Sequence, residues 1–229
     1  MGAVGTGHIE KMPTGIPGLD EMLEGGIPVP SSVLISGETG SGKTTLCMQY
    51  LFKGAELGER GIYFMALSEP AELMLRFIST YEFVDHRHFG TLIRYVDLGE
   101  VIERGDEDEI LELMDREVRS FQPRRIVIDS LPFLKTVLKD NYSRFLFRLG
   151  AMMKSWKGVV LITAESRSST PYPQDIACIT DGVIILYNME IGRTRRRSLE
   201  ILKMMGTSHR AGKHALDISS KGITVYPGL

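Results

Sequence analysis

The sequence predicts an α/β domain built on a mostly parallel sheet flanked by helices, with antiparallel hairpins added at its C-terminal end. Three observations lead there. Short apolar runs of strand length alternate with amphipathic stretches from Ser32 to Glu165, the pattern of strands joined by crossover helices. One such run, Val33-Leu34-Ile35, leads into the glycine-rich Gly37-Glu38-Thr39-Gly40-Ser41-Gly42-Lys43-Thr44 and then into helical spacing, so strand, loop and helix follow one another. After Asp181 the apolar runs are separated by turn-length gaps, which suit antiparallel neighbours because these need only short connections. With 229 residues, 43% hydrophobic and 24% charged, the chain can bury a substantial core as a single domain over residues 1–229.

The elements follow in order. Residues 1–11 are small and polar and are expected to lie loosely until Thr14-Gly15-Ile16-Pro17-Gly18-Leu19-Asp20 begins a turn and a short helix ending near Gly25-Gly26. Ile27-Pro28-Val29-Pro30 breaks that helix and feeds a strand over 32–36, apolar enough to be covered on both faces. The helix beginning at Lys43 should run to about Leu57, where Gly58-Glu59-Arg60-Gly61 ends it. A strand over 62–67 ends in Ser68-Glu69-Pro70; a helix over 71–81 and a strand over 91–98 come next. Asp106-Glu107-Asp108-Glu109 opens a helix that runs to Phe121, and four acids there complement the helix dipole rather than assemble a metal cluster. A strand over 125–130, a helix over 142–156 and a buried strand over 158–165 complete the alternating part. From Asp181 come 182–187, a basic turn carrying Arg193, Arg195, Arg196 and Arg197, and strands over 199–205, 216–218 and 222–226.

The chemistry is concentrated at the glycine-rich loop. Gly-x-x-x-x-Gly-Lys-Thr after a strand and before a helix reads as a phosphate-binding loop. Backbone N–H groups, the helix N-terminus and the Lys43 cation together hold a triphosphate. Thr44 offers its hydroxyl to Mg²⁺, and Asp129, closing the apolar Arg125-Ile126-Val127-Ile128, is the strand-end carboxylate such sites present on the metal side. Glu69, at the end of another strand, is the candidate base. Thr163 and Glu165 either sense the terminal phosphate or merely finish their strand. His86-Arg87-His88 has only Asp85 beside it and no cysteine, and reads as a surface loop.

Composition narrows the partners. A formal net charge of -2 and pI near 6.2 give no global attraction to nucleic acid. The only cysteines, Cys47 and Cys178, lack paired spacing and sit in apolar settings, so both are expected as buried thiols in a reducing compartment. The N-terminal residues carry no apolar core of signal-peptide length, and no apolar run is long enough to span a bilayer. A cytoplasmic location is expected.

Three motifs carry a resemblance over nearly the whole chain: Thr14 to Asp20 with Gly25-Gly26-Ile27-Pro28, the phosphate loop, and Leu202-Lys203-Met204-Met205-Gly206-Thr207-Ser208-His209 followed by Gly222-Ile223-Thr224-Val225. Together they resemble the KaiC family within the RecA-like ATPases. The resemblance implies ATP and Mg²⁺ as ligands, with ATP against Glu38, Thr39, Gly40, Ser41, Gly42, Lys43, Thr44 and Thr45, metal on Thr44 and Asp129, and Glu69 and Lys43 in catalysis. It also implies a hexameric ring with nucleotide between subunits, where Lys203, Met204, Met205, Thr207 and His209 of one subunit reach the nucleotide of the next. The chain closes soon after its last strand, so it is expected to correspond to one KaiC domain, and a circadian oscillator is not implied.

Two departures from the family pattern bear on rate. Where members usually carry two adjacent glutamates the first position is Ser68, leaving Glu69 alone to orient water. Where an arginine commonly follows the trans lysine by two residues the chain has Met205. Because a trans arginine is worth roughly 10³ to 10⁵ in rate, slow hydrolysis is expected. The alternative is a nucleotide-gated assembly module that hardly hydrolyses ATP and regulates a protein partner in signalling or motility. A DNA-dependent ATPase using the arginines at 193–197 is the weakest reading, since that patch is short and lacks interleaved aromatics.

Overall fold

The computed structural model describes residues 9–67, 69–166 and 169–228. Ser68, on which one sequence reading rests, lies outside the described residues.

The N-terminal segment is ordered by specific contacts. β1 (Lys11–Met12) pairs with β2 (Ile27–Pro28), so Lys11 belongs to a strand rather than to a loose tail. Between them the Asp20 carboxylate accepts from Thr14 N and Thr14 Oγ1, both at 2.7 Å, and from Gly15 N at 3.2 Å, which sets the turn into α1 (Leu19–Met22). Gly18 has φ of 83°, and a Cβ there would sit 1.9 Å from the Val225 carbonyl oxygen. Only glycine permits that approach.

β3 (Ser31–Gly37) is followed by α2 (Lys43–Glu56), β4 (Gly61–Met65), α3 (Ala71–Ile78), β5 (Ile93–Asp97), α4 (Gly99–Arg104), α5 (Glu107–Phe121) and β6 (Arg125–Asp129). Then come α6 (Phe133–Leu138), α7 (Tyr142–Ser155), β7 (Val159–Glu165), α8 (Gln174–Ile179), β8 (Gly182–Ile191), β9 (Thr194–Met204), β10 (Lys213–Ser219) and β11 (Gly222–Tyr226). A nine-stranded sheet has the order β11-β10-β9-β8-β3-β7-β6-β4-β5. It is parallel from β8 to β5 and antiparallel from β8 to β11.

β3 is buried on both faces, as its apolar run requires: Val33 and Ile35 face one core with α2 and the N-terminal segment, and Leu34 faces another with α5 and α7. Asp106 caps α5 by accepting from Asp108 N at 2.8 Å and Glu109 N at 3.4 Å, and buried Glu107 pairs with Arg144 and Arg148 of α7. The acidic run therefore serves the helix and its packing. Among the described residues no group of three or more His, Cys, Asp or Glu side chains could hold a metal ion, and no helix is long and apolar enough to cross a membrane.

Three further sequence expectations need correction. β8 is not simply a hairpin strand: reached through α8, it pairs parallel with β3 on one side and antiparallel with β9 on the other. Arg195, Arg196 and Arg197 lie within β9 rather than in a turn. Cys178 is exposed on α8, whereas Cys47 is buried in α2 as expected; a six-residue helix at the surface buries only its Ile176.

Candidate functional site

The phosphate loop sits at the C-terminal end of β3, where the parallel sheet hands the chain to α2. Gly40 and Gly42 have φ of 74° and 107°, and Gly42 caps α2 in the left-handed region. A Cβ on Gly42 would also fall 2.8 Å from Ile218 Cδ1, a side-chain end that can give way, so it is the left-handed conformation that demands glycine. Lys43 Nζ folds over the loop and donates to the carbonyls of Gly37 at 2.8 Å and Glu38 at 3.1 Å. Burial lowers its pKa, and the charges of Glu165 and Asp129 oppose that shift. Ser41 Oγ is buried without a hydrogen-bond partner among the described residues. A backbone cradle, a cation resting on replaceable carbonyls and an unspent hydroxyl fit a phosphate chain.

Asp129 closes β6 beside this loop. Its Oδ2 accepts from Thr44 Oγ1 at 3.5 Å and from the Tyr63 hydroxyl, and its Oδ1 accepts from Thr163 Oγ1. Strand register explains the convergence: Met65 of β4 and Asp129 of β6 are partners, with Tyr63 two residues earlier on the same face of β4. A carboxylate and a hydroxyl side by side are the oxygen donors that Mg²⁺ takes in nucleotide sites. Burial, and then the Asp129 charge, push the Tyr63 hydroxyl well above the ordinary phenol range, so it stays a donor. Burial does the same to the Cys47 thiol beneath the loop, which stays neutral.

Glu69 is half-buried and lines a cleft of about 310 Å³ that it shares with Thr44, Thr45, Leu67 and Asp129. Its backbone carbonyl accepts from the Tyr95 hydroxyl at 2.6 Å. Thr45 Oγ1 lies 3.2 Å from the Tyr81 hydroxyl. Of the pair left open at the end of β7, Thr163 is buried and spent on Asp129, while Glu165 is exposed and accepts from Thr39 Oγ1.

The late segment lies elsewhere. Gly37, where the phosphate loop begins, is level with Leu186 of β8, whereas Met204 and Lys203 of β9 are level with Gly182 and Val183 at the other end of that strand. Lys203, Met204, Met205, Thr207 and His209 therefore run off the end of the sheet remote from this chain's own loop. Lys203 Nζ donates to the Thr180 carbonyl at 2.6 Å. Met205 is 59% exposed, but Met204 is buried against Gly182; the strand's alternation turns its side chain into the core, which leaves only its backbone for a ligand. Thr207 Oγ1 and His209 Nδ1 are buried without partners among the described residues.

Sequence reasoning singled out Arg197 only as part of a basic turn and missed its place at the phosphate loop, where its Nε donates to the Gly40 carbonyl at 3.2 Å; it missed the tyrosines Tyr63 and Tyr95 altogether. Each owes its place to pairing between strands distant in sequence, so no local pattern marks it.

The KaiC ATPase family model matches residues 12–229. A UPF0273 protein of Thermotoga maritima is 31% identical over 239 residues, covering 96% of this chain and 97% of that protein. The circadian clock oscillator protein KaiC of Synechococcus elongatus is 31% identical over 241 residues, covering 96% of this chain and 44% of that protein, so the chain spans less than half of it. Among solved structures, a KaiC-like protein of the archaeon Pyrococcus horikoshii matches with a TM-score of 0.86 and 30% identity, over 96% of this chain and 100% of that one.

Proposed function

The chain belongs to the KaiC ATPase family, and from that membership we propose that it binds ATP and Mg²⁺ on its phosphate loop and hydrolyses ATP slowly, the site being completed by a neighbouring copy in a ring such as a homo-hexamer. One observation carries the reading. Thr44 and Asp129 meet 3.5 Å apart beside the phosphate loop, while Lys203, Thr207 and His209 leave the far end of the same sheet. Nucleotide at the first end can meet the second only on another copy, and a head-to-tail contact of this kind closes into a ring when the rotation between copies divides the full turn.

Mg-ATP, when bound, supplies a terminal phosphoryl group open to attack by water. Lys43 exchanges the carbonyls of Gly37 and Glu38 for phosphate oxygens, Thr44 and Asp129 hold the metal, and Glu69 orients the water. Lys203 of the adjoining copy supplies a cation in trans, at a point where charge stabilisation is worth most.

Met205 favours a second reading. Uncharged and 59% exposed at the end of β9, it brings no positive charge to a neighbour's phosphates. ATP that is held but hardly hydrolysed would then select one assembly state and regulate a protein partner.

Phosphate release from Mg-ATP across a range of protein concentrations tests both, with Lys43→Ala as control and nucleotide binding measured in parallel. The first reading expects specific activity to rise with protein concentration and to vanish in the control. Binding with phosphate release at background would replace it by the second.

A further inference from the structure

We infer that Tyr63 and Tyr95 are positioning residues of this site: a stacked pair that ties the carboxylate of Asp129 to the backbone of Glu69, fixing the metal ligand relative to the group that orients water. The inference rests on the roles proposed above for Asp129 and Glu69. Tyr63 of β4 and Tyr95 of β5 are register partners on neighbouring parallel strands. Their rings lie 5.6 Å apart and within 6° of parallel, and Phe89 packs on the Tyr95 ring at 6.3 Å. The two hydroxyls then diverge. Tyr63 donates to Asp129 Oδ2, and Tyr95 donates to the Glu69 carbonyl at 2.6 Å.

Packing alone would be served by phenylalanine at both positions, and a buried hydroxyl is tolerated only where it finds a partner. Here each partner belongs to the candidate site. With Thr163 donating to Oδ1 and Tyr63 to Oδ2, each carboxylate oxygen has a donor that fixes the plane of the group, and Oδ2 keeps a lone pair on the side of Thr44. Donors of this kind behind a metal ligand are worth about 10- to 100-fold in metal affinity or activity. Glu69 lies in the loop after β4, beyond the last strand residue Met65; Ala66 N ties the start of that loop to the Asp129 carbonyl of β6 at 2.7 Å, and the Tyr95 hydroxyl holds it further on, at Glu69 itself. The stacked rings carry the spacing from one hydrogen bond to the other.

The ring and the hydroxyl of Tyr95 thus have different jobs, which separates this proposal from a merely structural role. In the full-length protein we would compare Tyr63→Phe, Tyr95→Phe and Tyr95→Leu for Mg²⁺ dependence of fluorescent ATP binding, nucleotide binding in EDTA, phosphate release and melting midpoint. Tyr63→Phe is expected to raise the half-saturating Mg²⁺ concentration by about tenfold while binding in EDTA is unchanged. Tyr95→Phe keeps the wild-type Mg²⁺ dependence and lowers turnover only. Tyr95→Leu, which removes the ring that braces Tyr63, reproduces the Mg²⁺ shift of Tyr63→Phe. A wild-type Mg²⁺ response in Tyr63→Phe, or the same Mg²⁺ response in both Tyr95 variants, would overturn the pair's role. If wild-type protein binds Mg²⁺ and ATP without releasing phosphate, the hydrolysis reading fails alone, because the binding arms still decide the inference. If wild-type protein shows no Mg²⁺-dependent nucleotide binding, the functional reading and the inference fall together.

Discussion

The two ends of β9 have opposite characters. Near its start, level with Asn188, Arg197 reaches the phosphate loop of its own chain, and around that loop side chains form a network, Asp129 shared by Thr44, Tyr63 and Thr163, and Thr39 bound to Glu165, with Ser41 Oγ and Asn188 Oδ1 left without partners among the described residues. Near its finish, Lys203 rests on a single carbonyl, Met205 faces solvent, and polar atoms of Thr207 and His209 are buried without partners among the described residues. A buried polar atom left unsatisfied costs about 1–3 kcal/mol. The loop end is a side-chain network built around Asp129, whereas the far end has no such network and only scattered polar groups, and the shared site proposed above would bring the two together across copies.

The most complete way to break the loop end is Lys43→Ala. It removes the only positive charge the loop itself supplies, so nucleotide-dependent stabilisation should disappear from a melting curve while the melting point without nucleotide stays close to wild type. A retained nucleotide shift would mean that the loop does not hold the phosphates.

Catalysis can instead be strengthened. Ser68→Glu with Met205→Arg should raise the rate of phosphate release, with the roughly 10³ to 10⁵ known for a trans arginine as its ceiling. An unchanged rate in protein that still binds ATP would show that neither position limits catalysis.

The contrast between the ends also makes a prediction about mixtures. Lys203→Ala alone should lower activity by roughly tenfold to a hundredfold, the value of a hydrogen bond to a charged group, and Lys43→Ala alone should abolish it. Co-expressed, the two recover activity, because one contributes an intact loop and the other an intact Lys203. Random association leaves about a quarter of the head-to-tail contacts fully equipped. Activity that merely averages the two parents would place both residues in one chain's site.

What the sequence made legible divides along the same line. The phosphate loop, Lys43, Thr44 and Asp129 stand out because a short contiguous motif dictates their geometry, and the strands around them because burial on both faces leaves an apolar run. The sequence after Asp181 predicts a hairpin array that includes β8, because the brief α8 that delivers β8 has only six residues and scarcely any periodicity. Cys178 looked buried because its neighbours Ile176 and Ile179 are apolar, yet the helix turns it outward. Tyr63 and Tyr95 carry no local mark, and Arg197 is marked only as one of a basic cluster, since their meaning lies in partners 66, 26 and 157 positions away.

Arg197 offers the finest test of the loop end. Its guanidinium donates to the carbonyl of Gly40, in the turn whose positive φ aims backbone N–H groups at the phosphates, and that bond spans from β9 to the loop. Removing it takes away one solvent-exposed hydrogen bond and no direct contact assigned to nucleotide, so Arg197→Ala should weaken ATP binding by about fivefold, the consequence of roughly 1 kcal/mol. Arg197→Lys keeps the charge but not the Nε donor, and should recover part of that loss if nearby charge matters and none if the loop's shape does. Because the bond is to the loop and not to the metal, the half-saturating Mg²⁺ concentration should not move in either variant. A shift there would mean that Arg197 acts through Asp129 rather than through the phosphate cradle.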